Sequence, residues 1–96
     1  LGDRGVPDRV GRLIFEGNTI TRDRVILNQL RDDFRPGQIL PYDKIDEARM
    51  RLARLGVFDA ENPPTIDVLP NEFDSAFRDV LVRVNETRTG QFMLGG

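Results

Sequence analysis

Apolar and polar positions change period along the chain, and each change marks an element. From Arg9 to Glu16, Leu13 and Phe15 alternate with Arg12, Ile14 and Glu16, the two-residue period of a strand. Leu13 and Phe15 then share one face, and Ile14 lies on the other. Gly17-Asn18 tolerates positive φ and reverses the chain. Thr21 is placed to accept a backbone N–H as helix N-cap, Asp23 sits near the positive helix end, and Ile20 and Val25 flank the cap at staple spacing. The spacing predicts a helix from Arg22 to about Asp32, with Val25, Ile26 and Leu30 inward. A loop from Asp33 to Leu40 turns around Pro36-Gly37.

Pro41 opens a second helix, Tyr42 to Leu55, whose inward stripe is Ile45, Ala48, Leu52 and Leu55; Glu47 and Arg51 pair at i,i+4 on the wet side. Gly56 closes it in the left-handed conformation. After Val57-Phe58 an irregular piece, Asp59 to Pro64, precedes a short strand over Thr65 to Leu69 with Ile66 and Val68 on one face. Pro64 and Pro70 flank it, as suits a sheet edge. Asn71 to Phe77 is a polar turn. Arg78 to Glu86 is a strand with Val80, Val82 and Val84 on one face and Leu81 and Arg83 on the other.

Chain direction then gives an α+β fold of order β-α-α-β-β. Two antiparallel helices return the chain, so the first and third strands pair in parallel, and the valine-rich third strand is central in a three-stranded mixed sheet of order 1-3-2. Both helices cover one face. The second strand becomes an edge whose free N–H and C=O groups suit an incoming extended chain, which makes Thr65, Ile66, Asp67, Val68 and Leu69 the candidate binding residues. Ile14, Leu81 and Arg83, on the open sheet face, form a candidate docking surface.

Composition narrows the chemistry. Ninety-six residues suit one domain with a thin core and little concavity. With 39% hydrophobic and 31% charged residues the chain is neither a disordered tail nor a membrane span, and no apolar run approaches the roughly 20 residues of a spanning helix. There is no cysteine or histidine and Ser75 is the sole serine, which removes disulfides, thiolate nucleophiles, serine-histidine pairs and histidine metal sites. Carboxylate pairs remain, Asp32 with Asp33 and Asp43 with Glu47. They fall at a helix end, in a solvated loop and in the first turns of a helix, where the dipole favours acids. No enzyme, metal or cofactor is expected. The element order also fits a KH-like RNA-binding module, but the interhelical loop has only Gly37 beside Asp32-Asp33, and a net charge of -2 gives no drive toward phosphates. No nucleic-acid partner is expected.

The ordered set Arg9-Val-Gly-Arg-Leu-Ile-Phe-Glu-Gly-Asn-Thr-Ile-Thr-Arg-Asp-Arg-Val-Ile26, Pro36-Gly37, Arg51-Leu-Ala-Arg-Leu-Gly-Val-Phe58 and Val80 to Glu86 resembles a POTRA (polypeptide-transport-associated) domain, specifically those of BamA-like outer-membrane β-barrel assembly proteins. The tail Glu86-Thr-Arg-Thr-Gly-Gln-Phe-Met-Leu-Gly-Gly96 resembles the passage from a last POTRA domain into the first barrel strand. The expected organisation is a linker over 1–7 from a preceding module, the domain over 8–87 and a connector over 88–96, in a piece of a longer protein with any targeting signal upstream. The resemblance implies a location on the periplasmic face of the outer membrane, as part of an integral outer-membrane protein. Implied partners are unfolded β-barrel polypeptides, neighbouring POTRA domains, the parent barrel and accessory lipoproteins. A two-partner secretion transporter or a purely structural spacer is the alternative within the same fold. One departure stands out: in this family the chain runs quickly from the helix-closing Phe into the second strand, whereas here Asp59 to Pro64 intervenes.

Overall fold

The central strand explains most of the architecture. In the computed structural model, which describes residues 7–87, β1 (Arg9–Glu16) leads to α1 (Asp23–Leu30), and a 3-10 turn (Tyr42–Lys44) runs into α2 (Ile45–Ala53). Then come β2 (Thr65–Pro70) and β3 (Phe77–Arg83). The sheet order is β1-β3-β2, with β1 parallel and β2 antiparallel to β3. Val80 and Val82 of β3 and Val84 just beyond it are buried, as the alternation requires of a strand roofed by helices. They form one core with Ile26 and Leu30 of α1, Ala48 and Leu52 of α2, and Ile66 of β2, so both helices lie on the same side. Ile45 and Leu55 pack against that core from its margin.

Several local expectations are corrected. The first helix starts at Asp23 with Arg22 as N-cap and no side-chain cap, so Thr21 is not the capping residue. Val25 and Ile20 are exposed, which leaves α1 a narrower inward stripe of Ile26 and Leu30. Arg51 does not pair with Glu47; it bonds Asp33 Oδ2, in the loop that follows α1, at 3.0 Å, while Arg49 takes Asp46 at 2.8 Å. The helix predicted from Tyr42 to Leu55 is α-helical only over Ile45–Ala53, and the last strand ends at Arg83 rather than Glu86.

The interhelical loop is more than a connector. Phe34 is fully buried and Leu40 nearly so, closing the core at the end where β1 begins. Gly37, at φ 89°, turns the loop so that it pairs with β1: Val10 N donates to Gln38 O at 2.8 Å, Gly37 N to Val10 O at 2.7 Å and Leu40 N to Asp8 O at 2.9 Å. The outer edge of β1 is thereby covered at its start.

A β-bulge sets the faces of β1. Val10 opposes Arg78 and Leu13 opposes Val80, three steps on β1 against two on β3, with the extra residue at Gly11-Arg12. Without it, Val10 and Leu13 would point to opposite faces; with it, both turn inward. Asp79 holds the bulge. It is 3% exposed and accepts the Arg12 N–H at 2.9 Å, the Arg12 guanidinium at 3.0 Å and Asn71 Nδ2 at 2.9 Å. The Arg12 amide holds its carboxyl below the usual range against the opposing effect of burial, helped by Asn71 and the Arg12 side chain. Asn71 in turn braces the β2–β3 turn, its Oδ1 accepting the Phe73 and Asp74 N–H groups. Asp79→Asn is expected to cost about 2 kcal/mol in urea denaturation, because an amide N–H replaces one acceptor among these donors. Arg12→Met, which removes only a mostly exposed guanidinium, is expected to cost less than about 1 kcal/mol.

Candidate functional site

The ladder alternation decides which β2 backbone groups are free. Val84 N donates to Glu16 O, so the even residues of β3 bond toward β1; Asn85 O accepts Asp59 N on the opposite side. Arg83, Leu81 and Asp79 therefore exchange bonds with Thr65, Asp67 and Leu69, their register partners on β2. The N–H and C=O groups of Ile66 and Val68 point the other way. Among the described residues no strand or bridge pairs with them. Pro70 falls at the same outward parity, as does Pro64 if the alternation is continued one step before the strand, so neither ring removes a ladder bond. Thr65 to Leu69 is thus an edge segment, with Ile66 buried, Val68 half-buried, and Thr65, Asp67 and Leu69 on the exposed open face.

The open sheet face is less exposed than its sequence implies. Ile14 opposes Leu81 across the β1–β3 ladder and Asp67 opposes it from β2. Flanked on both sides in the central strand, Leu81 is only 6% exposed, which corrects the expectation of an exposed Leu81. Ile14 is half-buried. Arg83 is exposed and bonded to Glu16 Oε1 at 3.1 Å, its in-register neighbour. The three residues do lie side by side, but only Arg83 offers substantial free surface.

Glu86, which no sequence period singles out, anchors the far end of β3. Its carboxylate accepts the Thr19 hydroxyl at 2.8 Å, the Ile20 N–H at 3.0 Å and the Thr21 N–H at 2.6 Å. Burial pushes this carboxyl up, but the Thr21 amide and hydroxyl, the Thr19 hydroxyl and the Ile20 amide outweigh it and bring it to about 2. The same residue bridges Phe58 in antiparallel fashion, and Thr87 N donates to Val57 O at 3.1 Å. The chain beyond β3 is therefore fixed from two sides before it leaves the described residues.

Residues 9–87 match the POTRA family, described as a surface antigen variable number repeat. The chain belongs to the POTRA family. Its fold is similar to BamA from Haemophilus ducreyi lacking POTRA domains 1–3, at 23% identity and a TM-score of 0.74, over 91% of this chain and 15% of that one. POTRA domains 3–5 of Haemophilus influenzae BamA align over 81% of this chain and 29% of theirs, at 26% identity and a TM-score of 0.69. The N-terminal domain of Omp85 from Thermosynechococcus elongatus aligns over 88% of this chain and 35% of its own, at 22% identity and a TM-score of 0.62. This POTRA domain thus spans about a third or less of each of these relatives. Its expected connector over 88–96 and, apart from Pro7, its expected linker over 1–7 lie outside the described residues.

Proposed function

We propose that this POTRA domain is a periplasmic module of an outer-membrane β-barrel assembly protein, and that it receives extended segments of unfolded barrel polypeptides by strand addition along Thr65 to Leu69. The unpaired outward groups of Ile66 and Val68 carry this reading. Backbone bonds supply affinity with little demand on client sequence, which suits a module that meets many clients. Neighbouring POTRA domains, the parent barrel and accessory lipoproteins are the other partners proposed, on the periplasmic face of the outer membrane. A two-partner secretion transporter would use the same edge for a single passenger.

Titration of the isotopically labelled chain with an extended peptide of alternating valine and threonine tests the edge. The largest amide shifts are expected at Ile66 and Val68; shifts absent from Thr65 to Leu69 would remove strand addition. Val68→Pro deletes one outward donor that the fold does not use and sets a ring in the path of the incoming strand, so it is expected to weaken peptide binding about tenfold; because the valine also packs against the core, the melting temperature is expected to fall by several degrees with the domain still folded.

One observation favours a second, architectural reading: Glu86 and the Phe58 bridge clamp the departing chain to the fold, as a rigid spacer requires. Full barrel assembly by a parent protein carrying Val68→Pro would support the spacer and count against client binding.

A further inference from the structure

The register on the two sides of the Asp59–Pro64 piece reveals what that piece is. Phe58 pairs with Glu86 and Thr65 pairs with Arg83, both antiparallel and both on the β2 side of β3. Seven steps on one strand face three on the other, so four residues loop out of what is otherwise a single edge running from Val57 to Pro70. Removing Ala60 to Pro63 would place Asp59 opposite Asn85 and Pro64 opposite Val84, with no gap in register. The loop is braced rather than loose. Asp59 accepts the Glu61 N–H at 2.9 Å and Asn62 Nδ2 at 3.0 Å, Asn62 N donates to Asp59 O at 3.2 Å, and Asn85 Nδ2 donates to Asn62 O at 3.3 Å. Pro64, fully buried, pins its return to the sheet.

We infer that this four-residue outpouching, with the prolines at 64 and 70, restricts the edge to one short extended segment of about five residues held in a single register with a basic residue at its centre. The inference rests on the strand-addition reading and adds length and register to it. An incoming strand exchanges paired bonds with Ile66 and Val68 alone. At the next outward positions Pro64 and Pro70 present a carbonyl but no N–H, and beyond them the chain leaves the line of the strand, into the loop on one side and the Asn71 turn on the other. Pairing therefore ends at both prolines. The incoming residue opposite Asp67 lies beside that exposed carboxylate on the open face, a cross-strand position that favours lysine or arginine.

Two peptides test this on the labelled 96-residue chain. One is Thr-Val-Lys-Val-Thr, capped at both ends; the other has eleven residues and extends the same alternation on both sides of the lysine. The wild-type chain is expected to bind them within about threefold of each other, because the added residues find no paired bonds. The variant lacking residues 60–63, in which the Phe58 N–H and C=O join the edge, is expected to bind the longer peptide about tenfold more tightly than the shorter. If that variant does not fold, Pro70→Thr restores an outward N–H at the other end, and a gain of about threefold for the longer peptide is expected. A wild-type chain that already prefers the longer peptide tenfold, or a folded variant showing no gain, would overturn the length restriction while leaving strand addition intact. Equal binding when lysine is replaced by glutamate would overturn the register. Absence of shifts with either peptide would overturn strand addition itself, and this inference with it.

Discussion

Gly17→Ala is expected to destabilise the domain by about 4 kcal/mol or more, enough to leave it largely unfolded or to lower its melting temperature by some 20 °C. Two causes add. Gly17 sits at φ 90°, where an L side chain is strained, and a Cβ there would lie 2.0 Å from Val84 O. That oxygen is backbone and cannot swing aside, since Val84 N is itself bonded to Glu16 O at 3.0 Å. The only relief is to part β1 from β3 at the turn that leads into α1. Gly56→Ala separates the two causes, because Gly56 has a similar φ of 79° but nothing within 4 Å of the added carbon. It is expected to cost about 1 kcal/mol. Thermal melts followed by circular dichroism check both; a Gly17 variant as mild as the Gly56 variant would show that the β1–β3 contact yields more easily than the geometry implies.

Glu86→Ala is expected to cost about 3 kcal/mol, the second largest effect, because it strips charge-assisted acceptors from the Thr19 to Thr21 donors at once. Glu86→Gln keeps one acceptor and is expected to cost about 1 kcal/mol, after allowance for solvent screening at a partly exposed site. The pH dependence has a definite sign. The folded carboxyl lies at about 2 against an unfolded value of 4.5, so its stabilisation is fully present above 4.5 and is lost as pH falls toward 2. Urea titrations of wild type and Glu86→Gln should therefore differ most near neutral pH and converge below pH 4.5. A difference that grew on acidification would contradict the clamp. Since the Glu86 side chain holds Thr19 to Thr21, its loss should also broaden the amide signals of those three residues, while the backbone bonds around Phe58 keep Asn85 to Thr87 in place.

Local period and local backbone freedom made much of the fold legible. The stripe of Ala48 and Leu52, the alternation of Val80, Val82 and Val84, and the turning glycines at 17, 37 and 56 each follow from residues a few positions apart, and the edge position of Thr65 to Leu69 follows from chain direction and strand count. The interrupting piece after Phe58 was visible as a departure from the family's spacing, but its length in register was not, because that requires knowing that Phe58 opposes Glu86. The candidate site was half legible for the same reason. Alternation places Leu81 on the open face, yet its burial depends on Ile14 and Asp67 arriving from strands far away in sequence.

What the sequence by itself determined is the order of elements, the inward faces of β3 and α2, and membership of a β-α-α-β-β architecture with one strand left at an edge, because hydrophobic period and glycine φ act within one or two turns of chain. Only the tertiary structure decided the bulge that turns Val10 inward, the burial of Phe34 from within a loop, the capture of the Ile20 and Thr21 N–H groups by a carboxylate that follows β3, and the framing of Ile66 and Val68 as the free edge. Each of these depends on a contact between residues brought together by strand pairing or core packing. Pairing register is a property of two strands at once, and neither strand's own pattern contains it.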